Sequence, residues 1–269
     1  MRIARALAMA GIDSRRKCEI YIANGEVTVN GEAVRDLGRQ VDPENDQILF
    51  RGRPVHFEHF VYFVLHKPAG FTTTAADPNA KKTVYDLLPR TLVTKVSRSH
   101  PSRTRVFPVG RLDRGSTGLL LFTNDGDLAN RLTHPRFGLG KWYEVRLART
   151  LNPRDGHRLL AGIPLEEGTA TVEKFHKISR RQLRLLIREG KKREVRRIFE
   201  KLGYEVVTLC RIAFGPLTLG HLAPGEGRFL TPPEVCRLKE EVFEADKAKH
   251  ETKNPRRRGS GFSYRPPRR

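Results

Sequence analysis

In the stretch VGRLDRGSTGLLLFTNDG, Val109 to Gly126, one aspartate stands between two arginines, and a small-residue turn then runs straight into four large apolar residues. The guanidinium charge of Arg111 and Arg114 favours the ionised form of Asp113. A carboxylate of that kind can serve as a nucleophile or can stabilise a developing positive charge, and it is a poor general acid. The same residues beside Gly115 also suit a turn or a structural ion pair, and their types and spacing leave both readings open. No second carboxylate is paired with Asp113 as in a glycosidase, no His/Cys/Asp cluster offers a metal site, and no Walker or dinucleotide glycine pattern occurs. His134-Pro135 reads as a turn histidine. The remaining classes are an enzyme needing neither cofactor nor metal, and a pure RNA-binding protein.

Composition narrows the partner. The chain of 269 residues has 51 Lys+Arg against 30 Asp+Glu, a formal net charge of +21. Self-repulsion of that size calls for a polyanion, so nucleic acid or a ribosomal particle is the expected partner, ahead of an anionic membrane surface. Cys18, Cys210 and Cys236 are far apart and show no C-x-x-C spacing, which predicts reduced structural thiols in a cytoplasmic protein. Neither a signal peptide nor a window of ~20 apolar residues is present, so no membrane partner is expected.

The elements that must position Asp113 can be read on either side of it. At the N-terminus, Ile3 and Leu7 predict a short helix stopped by Gly11, and Ser14 caps a second helix whose apolar face is Cys18, Tyr21 and Ile22. Val27 and Val29 alternate before Asn30-Gly31, a hairpin signal, and Arg51-Gly52-Arg53-Pro54 reads as the entry to a linker. Arg2, Arg5, Arg15, Arg16 and Lys17 make this small module basic. Beyond it, FVYFVLHK and GLLLF read as buried strands, TVYDLLP as a short helix, and GDLANRLTH as a helix capped by Asn124 or Asp125. KWYEVRL, GTATVEKFHKI and RQLRLLIRE alternate like strands, and SRSHPSRTRVFPVG is a basic loop. REVRRIFEKLG is a helix with Val195, Ile198, Phe199 and Leu202 on one face. Without a regular strand-helix-strand rhythm the fold class is α+β with a mixed sheet. A charged helix follows LTPPEV, and the closing segment with Arg256, Arg257 and Arg258 has almost nothing to bury and should be a disordered, phosphate-seeking tail.

GRLDRGSTGLLLFTNDGDLANRLTHP closely resembles the catalytic motif of ribosomal-RNA pseudouridine synthases, in the family that joins an N-terminal S4 RNA-binding domain to the synthase domain. LHKPAGFTTT, TVYDLLP, KWYEVRL, REGKKREVRRIFEKLGYEVVTLCRIAFGPLTLG and LAPGEGRFLTPPEV support it in the same order, and RIARALAMAGIDSRRKCEIYIANGEVTVNGEAV resembles the S4 domain. The resemblance implies an S4 domain at 1–57, a synthase domain on a mixed, largely antiparallel sheet at 60–235, and a charged helix and basic tail at 236–269. It implies isomerisation of a uridine within ribosomal RNA, in the large subunit (23S) by preference and in the small subunit (16S) as the close alternative, by a monomer without cofactor or metal. A non-catalytic assembly factor with the same fold is the alternative from another class.

On the matching positions, Asp113 is the catalytic carboxylate, Tyr143 stacks on the target base, and Arg196 pairs with Asp113. Arg193 and Arg197 are weaker substrate contacts, Leu217 an apolar wall for the uracil, and Arg111 a substrate contact or a scaffold. The chain departs from the family at Ser116-Thr117, where Thr-Ser is usual, and at Gly190–Glu194, where Glu194 replaces a glutamine. A uridine inside a stacked helix is out of reach, so the target must be flipped out.

Overall fold

The computed structural model describes residues 1–57, 59–75, 77, 79–93 and 104–253, with side chains described to residue 242. Residues 97–103 of the basic loop and the tail arginines Arg256, Arg257 and Arg258 lie outside the described residues.

Local signals account for the small N-terminal unit. Helix α1 spans Ile3–Met9 and α2 spans Arg15–Ala23, whose first turn is capped where the Ser14 hydroxyl accepts from Lys17 N. Strands β1 (Val27–Val29), β2 (Glu32–Val34), β3 (Ile48–Phe50) and β4 (Arg53–Pro54) form one sheet in the order β2-β1-β3-β4. Asn30 and Gly31 take φ of 52° and 87°, as the two-residue turn between twisted strands requires. Arg51 and Gly52 do the same, at 51° and 73°. The segment read as the entry to a linker is therefore a second hairpin, because β4 pairs with β3 and completes the sheet. Ile3, Leu7, Cys18, Ile22, Val27 and Ile48 form its core.

The larger unit begins with β5 (Tyr62–Lys67), β6 (Leu92–Val93), β7 (Thr104–Arg105), β8 (Phe107–Pro108) and β9 (Thr117–Thr123). Helix α3 (Gly126–Thr133), β10 (Lys141–Leu147), α4 (Pro153–Ala161), β11 (Ile163–Leu165) and β12 (Gly168–Ala170) follow. Then come β13 (Lys174–Lys177), β14 (Gln182–Ile187), α5 (Glu194–Lys201), β15 (Val206–Phe214), β16 (Leu217–Thr218), β17 (Gly227–Phe229) and α6 (Pro232–Lys253). TVYDLLP forms a single turn of 3-10 helix at Val84–Leu87. GTATVEKFHKI, which alternates as if it were one strand, divides into β12 and β13.

The main sheet runs β13-β14-β10-β15-β9-β5-β17. Its neighbours are antiparallel except β15 and β9, which pair in parallel through Cys210↔Thr117 and Arg211↔Gly118. At that seam the chains approach so closely that a Cβ on Gly118 would lie 2.3 Å from the Arg211 carbonyl oxygen, and Gly118 has φ +110°. Two packing layers sit on β5 and β9: Val64, Leu119 and Leu121 face one, Phe63, Leu65, Leu120 and Phe122 the other. Burial on both faces explains why these strands read as unbroken apolar runs. The apolar stripe of α5 and the inner face of β10 and β14 form a third core around Val145, Leu185 and Phe199. Leu238 and Val242 of α6 join the layer of Leu119 and Leu121, so this helix crosses position 235 and is anchored to the sheet.

Candidate active site

Asp113 lies in the connection from β8 to β9, and backbone geometry there is set by long-range partners. The turn closes on itself through Ser116 N to Asp113 O at 3.0 Å. At the end of β5, Lys67 is fully buried, and its Nζ donates to Ser116 O at 2.7 Å, Asp113 O at 3.0 Å and Pro68 O at 3.1 Å, with Arg114 O at 3.4 Å. Burial pushes the Lys67 ammonium down to about 8, with the Asp113 charge opposing. Thr73, also buried, donates its hydroxyl to Leu112 O at 2.8 Å. Gly70 N donates to Arg114 O at 2.8 Å while Arg114 Nε returns a bond to Gly70 O at 3.2 Å. The segment after β5 thus holds nearly every carbonyl of the Asp113 turn.

Arg196 completes the clamp from the other side. Its Nη2 donates to Gly115 O at 3.1 Å and its Nη1 to Val206 O at 3.0 Å. Burial and then the Arg193 charge lower its pKa from the usual arginine value, and the Asp113 charge opposes them. The expected ion pair between Arg196 and Asp113 is replaced by these two carbonyl bonds: Arg196 holds the turn's backbone and feels the carboxylate only at longer range. Among the described residues the half-buried Asp113 carboxylate has no hydrogen bond or ion pair.

The Asp113 turn forms one wall of a cavity of about 590 Å³. Tyr143 of β10, Arg111 and Arg193 also line it, as do Lys141, Glu194, Arg211 and Phe214. Tyr143 packs against two of the core clusters, which holds its ring in the cavity lining. Arg111 is exposed; Arg193 is exposed with a left-handed φ of 53° immediately before α5. The guanidinium of Arg211 lies 5.2 Å from the Phe214 ring centre and the Lys141 ammonium 5.9 Å from it, so one aromatic ring supports two cations. Lys141 also donates to Arg188 O and Glu189 O at 3.3 and 3.0 Å; burial and the nearby Arg211 push it down to about 8, with Glu194 opposing.

Two expected contacts stand elsewhere. Leu217 is absent from the cavity lining and packs in the core with Leu119 and Phe214, because the tight turn at Gly215 folds β16 back onto β15. Arg197 points away and forms an ion pair with Glu167, one residue further around the helix than Arg196. In the small unit, Arg2, Arg15, Arg16 and Lys17 are exposed, whereas Arg5 reaches across to an exposed ion pair with Asp127 of α3. Lys67, Thr73 and Lys141 were missed. Lys67 stands in the quoted motif LHKPAG, and a lysine closing an otherwise apolar strand was the available signal.

Residues 61–201 match the family described as RNA pseudouridylate synthase, and residues 1–48 match the S4 domain. A relative from Bacillus subtilis, named ribosomal large subunit pseudouridine synthase B, is 40% identical, covering 88% of this chain and 95% of its own. A protein of the same name from Pseudomonas aeruginosa is 38% identical over 90% of this chain and 62% of its own. Among solved structures, a pseudouridylate synthase superposes with a TM-score of 0.63 at 29% identity, covering 88% of this chain and 99% of that one.

Proposed function

The chain belongs to the RNA pseudouridylate synthase family and carries an S4 domain, and on that premise we propose that it converts a uridine of large-subunit ribosomal RNA to pseudouridine, with Asp113 as the nucleophile. The observation that carries the residue assignment is Asp113 itself, which lines the cavity with a carboxylate that has no partner among the described residues while its own backbone is clamped from two sides. A carboxylate spent in an ion pair would have to be freed before reacting; this one is available, and its position is set by the turn. The names of the Bacillus and Pseudomonas relatives support the large subunit as the source of the substrate.

The reaction exchanges bonds within one nucleoside. The bond from ribose C1′ to N1 breaks, the uracil turns in place, C5 bonds to C1′, and the C5 proton is lost as N1 gains one. Asp113 attacks the sugar or assists departure of the base, and Tyr143 stacks on the flipped uracil. Arg196 holds the turn rather than the carboxylate, and Arg111 and Arg193 meet the phosphates flanking the flipped nucleotide. Arg2, Arg15, Arg16 and Lys17 hold the RNA from the small domain. The protein works as a monomer in the cytoplasm, on ribosomal RNA or a precursor particle. Mapping pseudouridines in both ribosomal RNAs from cells with and without the gene tests the substrate: loss of one site in the large-subunit RNA is expected, and loss confined to the small-subunit RNA would overturn that half of the reading. Purified Asp113→Asn protein should bind RNA and make no pseudouridine; conversion by it would remove Asp113 from the chemistry.

A further inference from the structure

Three buried side-chain atoms without a partner among the described residues belong to residues that line the cavity. Among the described residues, Ser116 Oγ, Glu194 Oε1, Arg211 Nη2 and Thr28 Oγ1 are buried with no hydrogen bond, and the first three belong to residues lining the Asp113 cavity. They come from the turn, from the first residue of α5 and from β15, and the residues are 2%, 5% and 2% exposed. Buried polar atoms left unsatisfied are rare and costly, so three around one cavity describe the polar outline of what fills it. The other halves of the two charged groups are anchored: Glu194 Oε2 accepts from Lys191 N at 3.2 Å, and Arg211 Nε donates to Leu119 O at 2.8 Å. Each therefore offers a free atom from a fixed position.

We propose that Glu194 and Arg211 are specificity-determining residues that read the flipped base, Arg211 Nη2 donating to a uracil carbonyl oxygen and the Glu194 carboxylate accepting the adjacent N3–H. This rests on the reading of the cavity as the uridine site and adds its base selectivity. Uracil presents a carbonyl next to an N–H on that edge. Cytosine presents an unprotonated N3 there, which would face the carboxylate with a lone pair and leave both partners unpaired. The electrostatics agree with this role. Burial, with Glu189 adding to it, pushes the Glu194 carboxyl up to about 7, while Lys191 and Lys141 oppose the rise; Arg197 also acts on it. The acceptor form then dominates only above neutrality, and base recognition strengthens as pH rises through about 7.

The test uses full-length protein and an RNA fragment containing the uridine that wild-type protein modifies, once with the natural base and once with N3-methyluridine at that position. Wild-type protein should lose about 10- to 100-fold in single-turnover kcat/KM on the methylated substrate, the effect of one hydrogen bond to a charged group. Glu194→Ala should lose a similar factor on the natural substrate and little more on the methylated one, since the two changes remove the same contact. Glu194→Gln, which keeps an acceptor oxygen, should stay within about threefold of wild type and lose the rise in rate near pH 7. An undiminished N3-methyl penalty in Glu194→Ala would overturn the inference alone. Wild-type protein that makes no pseudouridine in unmodified ribosomal RNA would overturn the functional reading beneath it, and this inference with it.

Discussion

Replacing Lys67 with methionine keeps the length of the side chain and removes the charge that gathers the Asp113 turn. Its cost can be worked from the bonds. An ammonium held at about 8 rather than 10.5 is disfavoured by about 3 kcal/mol, a penalty that is fully present below pH 8 and is relieved progressively from there to pH 10.5. Methionine escapes this penalty. It also leaves the carbonyls of Ser116 and Pro68, which now lie 2.7 and 3.1 Å from the ammonium, without a donor, while Asp113 O keeps its bond from Ser116 N. Each orphaned acceptor costs roughly 1–3 kcal/mol. The two together outweigh the relief by about 1 kcal/mol, which for a chain of this size lowers Tm by roughly 2–4 °C. The turn would reopen to hydrate those carbonyls, and a shift of about 1 Å in Asp113, the proposed nucleophile, would cost on the order of 100-fold in rate. Thermal melting and single-turnover pseudouridine formation measure the two effects separately. A Lys67→Met protein that melts within about 1 °C of wild type and reacts within threefold of it would refute the claim that Lys67 sets the turn.

Three other outcomes follow from the same geometry. Gly118→Ala places a methyl 2.3 Å from the Arg211 carbonyl at a φ of +110°, so it should cost about 3 kcal/mol or more by chemical denaturation, and a neutral result would mean the β9–β15 seam is looser than described. Glu194 holds its proton more tightly in the folded protein, so its ionisation costs stability progressively from pH 4.5 to about 7 and in full above that. Glu194→Gln should therefore be about 3 kcal/mol more stable than wild type at pH 8 and equal to it at pH 4.5; equal midpoints at both pH values would contradict the shift. Changing Arg15, Arg16 and Lys17 together to glutamine should reduce the salt slope of RNA binding by about 2 without altering the rate on bound RNA, as measured by titration across salt concentrations.

Much of this protein is written within a few residues of where it acts. Ser14 and Asp125 cap helices because each lies three residues before the backbone N–H that it accepts, and Asn30-Gly31 turns a hairpin because both residues tolerate a positive φ. The choice between Asn124 and Asp125 as the cap needed the fold. Asn124 is occupied with the backbone of His59 and Val61, which leaves the cap to Asp125. The Arg51-Gly52 turn was misread because Arg-Gly is a weak hairpin signal until β3 and β4 are seen to pair around it.

Asp113 and Tyr143 could be named from the motif, whose length and order carry the resemblance, and the apolar face of α5 could be read from its period. The sequence alone therefore determined the fold class and most of the local elements, and singled out Asp113 as the residue to mutate first. The tertiary structure decided what holds that residue: Lys67, 46 positions away, takes its carbonyl, and Arg196, 81 positions beyond Gly115, grips the turn instead of the carboxylate. It also moved Leu217 into the core and gathered Ser116, Glu194 and Arg211 around one cavity. The physical reason is range. Caps, turns and periodicity act over a few residues of one chain segment, whereas buried charges are placed by the order of strands in a sheet, and here the parallel pairing of β9 and β15 brings the segments together.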